Sequence, residues 1–234
     1  MEMLASLAAI VVAYLIGSVS FAVIFSRVMG LADPRTYGSG NPGATNVLRS
    51  GNKVAAILTL AFDVLKGYVP VMLVLALGSR VGLGQTTAAF VGLAAFAGHV
   101  WPAFFRFQGG KGVATAAGVL MALNPLLAVA TLASFLLIVA FFRYVSLASI
   151  VAAVFAPFYQ MLIWDGGVLL LAIVPMSLIL VWRHEGNIRK LIAGTESRLG
   201  QKAAPAAAAA ERHAHGHGHG HGHGHAHPHR KGKH

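Results

Sequence analysis

VATAAGVLMALNPLLAVATLASFLLIVAFF, residues 113–142, is a run of uncharged, mostly apolar residues interrupted only by Asn124-Pro125. A bilayer core accepts about 20 apolar residues as a helix, so the run is long for one crossing and short for two. Proline removes a backbone donor and disfavours helix in the residue before it, which puts the weak point at Asn124. The run is therefore either one long kinked helix or two helices in a tight hairpin, and charge chooses between them. With two helices the chain crosses seven times. Arg27, Arg35, Arg49, Lys53, Arg106, Lys111, Arg143, Arg183, Arg189, Lys190 and Arg198 then share one face, Arg80 lies opposite and Lys66 falls inside a span. That distribution fits the positive-inside rule, whereas six crossings export everything from Arg183 onward. The expected fold is an all-α polytopic membrane bundle of seven transmembrane helices with a cytoplasmic C-terminus. Its short fourth span, Val113–Leu123, must be partly shielded by protein or belong to a re-entrant element.

The rest of the chain agrees with that class. It is 56% hydrophobic and only 11% charged, and apolar segments recur at Met3–Phe25, Val54–Gly78, Gln85–Phe105, Leu126–Phe142, Val145–Ile163 and Gly167–Trp182. Met3–Phe25 is too long for the apolar part of a signal peptide and is expected to be the first crossing. The absence of cysteine excludes disulfides, thiolate nucleophiles and thiolate metal sites. A net charge of +11 on a membrane protein suits anionic headgroups or phosphorylated substrates rather than nucleic acid. Part of that charge belongs to residues 201–234, a low-complexity Ala/His/Gly tail whose histidines alternate from His213 to His229. Residues 1–200 are expected to form the integral membrane domain and the tail to be disordered. The tail can bind divalent metal loosely; the core shows no metal-ligand pattern and implies no cofactor.

Three polar segments fall on the same predicted face. In YGSGNPGATNVLRSGNK (37–53), Gly38 and Gly40 free the backbone to aim amides at a ligand. Ser39, Asn41, Thr45 and Asn46 add neutral hydrogen-bonding groups, and Arg49 adds a guanidinium fork suited to phosphate. Such a run is equally at home in an ordinary turn. In FRFQGGKGVATAAG (105–118), Gly109, Gly110 and Gly112 bracket Lys111 just before an apolar helix, where helix-end amides and an ammonium can meet one anion. The nucleotide P-loop spacing is absent, and a positive-inside anchor is the plainer alternative. In HEGNIRKLIAGTE (184–196), His184 and Asn187 stand at i and i+3, on one face if the helix continues. A basic juxtamembrane patch is the plain reading of the surrounding charge. Asp63 and Lys66 read as an internal ion pair, His99 as packing and interfacial anchoring, and Ser146 and Ser149 as helix-packing residues that can also approach the site. Together the three segments point to a phosphorylated small molecule held beside the bilayer.

The combination of GSGNPGATN (38–46) with Arg49, GGKGVAT (109–115) and HEGNIRKL..G.E (184–196) resembles the bacterial acyl-phosphate:glycerol-3-phosphate acyltransferase family, PlsY, over residues 1 to about 200. The resemblance implies transfer of a fatty acyl group from acyl phosphate to the 1-hydroxyl of glycerol 3-phosphate. It implies lysophosphatidic acid and phosphate as products, in the bacterial inner membrane with the site facing the cytosol. It also implies Ser39, Arg49, Lys111, His184 and Asn187 as the catalytic polar groups, with the glycine loops shaping the anion pockets and Glu185 a structural partner; Gly38, Gly40, Asn41, Thr45, Asn46, Gly109, Gly110, Gly112 and Ser149 are the residues expected to bind substrate. The chemistry is consistent with those residues: an acyl phosphate carries its own leaving group, so positioning and charge compensation suffice. His184 or a substrate phosphate oxygen can take the hydroxyl proton, and the residues do not choose. The HxxxxD signature of thioester-dependent acyltransferases is absent, since Arg189 follows His184 and Phe104 follows His99 at that spacing. A small transporter for an organic phosphate is the alternative reading, because intramembrane charge and broken helices also build permeation paths.

Overall fold

Asn124 takes an extended conformation (φ −154°, ψ 96°) and divides the deciding stretch into two helices, accepting at its side chain the amide of Leu127 as it caps the second. The computed structural model describes residues 2–200, whose regular secondary structure is all helix, with no β-strand among them. In order the helices are α1 (Glu2–Gly17), α2 (Phe21–Val28), α3 (Ala44–Leu48), α4 (Lys53–Leu77), α5 (Gln85–Val100), α6 (Val113–Leu123), α7 (Pro125–Phe142), α8 (Val145–Trp164), α9 (Leu170–Arg183) and α10 (Glu185–Ile192). Five segments are long and apolar enough to cross a membrane: Glu2–Val28, Lys53–Val81, Gln85–Phe105, Pro125–Phe142 and Val145–Trp164. Val113–Leu123 and Leu170–Arg183 are apolar but shorter. The expectation about the tail lies outside the described residues.

The molecule is apolar outside and selectively polar inside, as a lipid solvent requires. Phe141 and Leu162 are 79% and 85% exposed, while Asp63, Lys66, His99, Thr115 and Gln160 are buried. The short α6 is shielded as its length demands, packing against α4, α5, α7 and α9. Its closest neighbour is α4. A Cβ added at Gly118 would run into the Val64 carbonyl, and one at Gly67 into that of Thr115. Small residues let the two backbones approach, the usual device of helix packing in membranes.

The first crossing departs from the expected continuous Met3–Phe25. The chain leaves the helix after Gly17 and resumes it at Phe21. Gly17 is pressed against the Ala95 carbonyl of α5. The break frees the Val19 carbonyl, which accepts a hydrogen bond from Lys66 Nζ at 2.8 Å. A freed backbone group inside a membrane protein needs such a partner, and the buried lysine supplies it.

Candidate active site

Loops and helix ends bring the three polar segments together. The first is organised by Asn46, which is buried with its amide nitrogen donating to the carbonyls of Pro34 (2.6 Å) and Tyr37 (3.2 Å). Its Oδ1 accepts the Ser39 amide at 3.0 Å. Asn46 thus shapes the loop with every side-chain polar atom, which differs from an expected role at the ligand. Gly38, at φ +61°, leaves room for Asn46 Oδ1 and for the Arg49 guanidinium, which lies over it. Ser39, Thr45 and Arg49 are exposed, and Asn41 is half-buried.

The glycine-rich loop is held from two sides. The Gly110 amide donates to the His99 carbonyl at 3.1 Å, and a Cβ at Gly109 or Gly110 would strike the backbone or ring of His99. From α9, Arg183 donates Nε to the Gly110 carbonyl (3.3 Å) and a terminal nitrogen to that of Gly109 (3.1 Å). Gly112, at φ +84°, caps α6 and faces the Phe96 ring, where a Cβ would collide. Arg35, Gly40, Pro42, Phe107, Gln108, Gly109 and Arg183 line a cleft of about 310 Å³ between the first loop and this one.

Lys111, half-buried, follows the clamped glycines and donates to Asn187 Oδ1. Asn187 Nδ2 donates to Glu196 at 2.6 Å, and the same carboxylate oxygen accepts Ser146 Oγ at 2.7 Å. A cation on one side and a carboxylate on the other orient the amide unambiguously. Burial lowers the Lys111 ammonium to about 8; Glu196 opposes this, and Arg183, Lys190 and Arg49 add to the lowering. The cations of all three segments therefore act on one another.

His184 is 2% exposed. The helix does not run on through it: α9 ends and α10 begins there, so the expected single helical face is replaced by a joint at which the Asn187 amide donates to the His184 carbonyl at 2.9 Å. Nδ1 lies 2.8 Å from the Leu180 carbonyl, and a carbonyl only accepts, so Nδ1 carries the proton and Nε2 the lone pair. Burial lowers the imidazole to about 4, with the Lys111 charge acting in the same direction.

Ser149 is buried with its hydroxyl donating to Val145 of its own turn at 2.8 Å, and Ser146 rather than Ser149 joins the polar network. Glu185 pairs with Arg189 at 2.5 Å on the exposed side of α10. Glu196 and Arg183 are the site members that sequence reasoning passed over. Their signals were the closing Glu of the third motif and an Arg placed directly before its His. His99, read as an isolated anchor, is instead buried with Nδ1 3.7 Å from Asp63 Oδ1.

The family model described as glycerol-3-phosphate acyltransferase matches residues 7–194. The glycerol-3-phosphate acyltransferase of Paraburkholderia phytofirmans is 63% identical over 192 residues, covering 82% of this chain and 90% of the relative. That of Ralstonia nicotianae is 62% identical over 195 residues, covering 83% and 94%. The crystal structure of PlsY, an integral membrane glycerol 3-phosphate acyltransferase, in its glycerol 3-phosphate form is similar with a TM-score of 0.78 at 37% identity, covering 84% of this chain and 96% of that one. Its lysophosphatidic acid form gives 0.76 at 36% identity, with the same coverage. With the helical fold, the three motifs and these likenesses in agreement, this multi-pass membrane protein belongs to the glycerol-3-phosphate acyltransferase family.

Proposed function

We propose that this protein transfers a fatty acyl group from acyl phosphate to the 1-hydroxyl of glycerol 3-phosphate, releasing lysophosphatidic acid and inorganic phosphate. The observation that carries this reading is the Lys111–Asn187–Glu196 network set among Arg49, Arg183 and Lys190. It is a cationic, hydrogen-bonding site built for phosphates at the end of apolar helices that can keep an acyl chain in lipid.

The acceptor oxygen attacks the acyl carbonyl carbon, the bond from that carbon to the bridging phosphate oxygen breaks, and phosphate departs with the electron pair. Lys111 and Arg49 compensate phosphate charge, and Ser39 and the loop amides orient the anions. His184 accepts the hydroxyl hydrogen bond at Nε2. Its low basicity makes the departing phosphate the better final resting place for the proton. The transport reading drew on intramembrane Asp63 and Lys66, helix-breaking residues and cytoplasmic basic loops; the first of these is accounted for by a direct ion pair at 2.7 Å.

Seven crossings with residues 39, 111 and 187 at the cytosolic face of the inner membrane complete the reading, with residues 1–200 as the catalytic domain. Purified protein in detergent, given acyl phosphate and labelled glycerol 3-phosphate, should form labelled lysophosphatidic acid. Product from acyl thioesters but not acyl phosphate would overturn the donor, and no product from either would overturn the function. The chain has no cysteine, so single cysteines at 39, 111 and 187 report the orientation cleanly. All three should react with an impermeant reagent from the cytosolic side, and reaction of residue 187 only from outside would overturn the topology.

A further inference from the structure

Three ionisable side chains lie together in the membrane-embedded part of the protein, apart from the proposed substrate groups. Asp63 and Lys66 of α4 and His99 of α5 are 2%, 4% and 8% exposed. Lys66 Nζ is 2.7 Å from Asp63 Oδ1 and donates to the Val19 carbonyl at 2.8 Å. His99 Nδ1 stands 3.7 Å from the same Asp63 oxygen, beyond hydrogen-bond reach but close enough for charge to orient the ring. Ionised groups are costly in this environment, and satisfying the one carbonyl freed at Val19 needs only a neutral donor, not an ion pair with an imidazole beside it. Stability alone is therefore a poor reason for them.

Their connections supply a better one. Through Val19 the lysine holds the break between α1 and α2, and α2 leads into the loop that carries Ser39 and Arg49. Through His99 the cluster reaches the second loop: the His99 carbonyl accepts the Gly110 amide, and its ring edge occupies the space a Gly110 side chain would need. Lys111 follows directly. One buried cluster thus touches the supports of two of the three segments that meet at the phosphate site.

We propose that Asp63, Lys66 and His99 form a positioning centre that sets the first loop and the glycine-rich loop in register, so that Arg49 and Lys111 address the same substrates. They touch no reacting atom. The proposal rests on the acyltransfer reading only for its kinetic arm.

The test separates positioning from simple charge neutralisation. Asp63→Asn with Lys66→Met removes both charges at nearly constant volume and removes the ammonium that holds Val19. The double variant should still melt cooperatively in detergent, at a temperature lowered by the Val19 carbonyl it leaves without a partner. Its kcat should fall roughly 10- to 100-fold and its KM for glycerol 3-phosphate should rise, as expected for misplaced catalytic groups. Asp63→Asn with Lys66 retained leaves the Val19 bond available and should recover part of kcat. A structural arm needs no turnover: spin labels on cysteines at Thr45 and Gln108, both exposed, should give a broader distance distribution in the double variant than in the labelled parent. Parental kcat and an unchanged distance distribution in a folded double variant would overturn the positioning role. An inactive parent would count against the acyltransfer reading alone, and the label distances would still decide this one.

Discussion

Lys66 and Lys111 each stand near a carboxylate, yet only one is paired with it directly. Lys66 is 4% exposed and spends its ammonium directly on Asp63 and the Val19 carbonyl, with the Phe21 ring 5.7 Å away. Lys111 is half-buried and bonds a neutral amide, while Glu196 lies one link further on, behind Asn187. The intervening asparagine aims the lysine without neutralising it. A paired buried lysine joins structure, whereas one held by an amide among Arg49, Arg183 and Lys190 keeps its charge without a directly paired carboxylate.

The strongest attempt to break that contrast is Lys111→Ala. It should lower kcat/KM by roughly 100- to 1000-fold, the scale of losing one preorganised charge-stabilising donor, with the melting temperature of the purified protein little changed. Near-parental turnover would place Lys111 among ordinary membrane anchors.

A smaller loss is expected at the joint between α9 and α10. His184→Ala and Asn187→Ala should each cost roughly 10- to 100-fold in turnover. The double variant should lose less than the product of the two, because both act on one bound substrate. Multiplicative losses would show that the two side chains work independently.

The third prediction concerns pH. In the proposed role Lys111 acts as an ammonium, and burial lowers its value to about 8, so kcat/KM for the free enzyme should fall as pH rises through about 8, well below the ordinary lysine range. Lys111→Arg, which stays charged, should remove that limb even if its activity is reduced. The effect on stability has the opposite sign. The folded value lies below the unfolded 10.5, so burial of the charge opposes folding below about pH 8 and is relieved as pH climbs from there towards 10.5. A pH–rate profile identical in the parent and the arginine variant would detach the limb from Lys111.

The smallest effect tests the outer end of the network. Ser146→Ala removes one of the two donors on the Glu196 oxygen and should lower turnover only about two- to fivefold, since the carboxylate keeps its bond from Asn187 and the serine acts on Lys111 only through both. A loss as large as that of Lys111→Ala would make Ser146 a direct substrate contact.

What the sequence alone determined is what local physics encodes. Segment length and apolarity specify membrane helices, the Asn124-Pro125 step ends one helix and caps the next, and the glycine, lysine and histidine motifs mark the polar loops. That Arg49, Lys111 and Asn187 lie in polar segments at helix ends was legible from their place beside glycines or at the end of an apolar run. The tertiary structure alone decided which polar groups are spent within the protein. Asn46 and Asn187 are the same residue type in comparable motifs, yet one closes its own loop while the other bridges Lys111 to Glu196. Nor does a sequence show that Lys66 will reach the Val19 carbonyl across 47 residues, or that His99 will lie beneath Gly110. Hydrogen bonds and ion pairs form between neighbours in space, and those neighbours exist only once close helix packing has brought distant segments together.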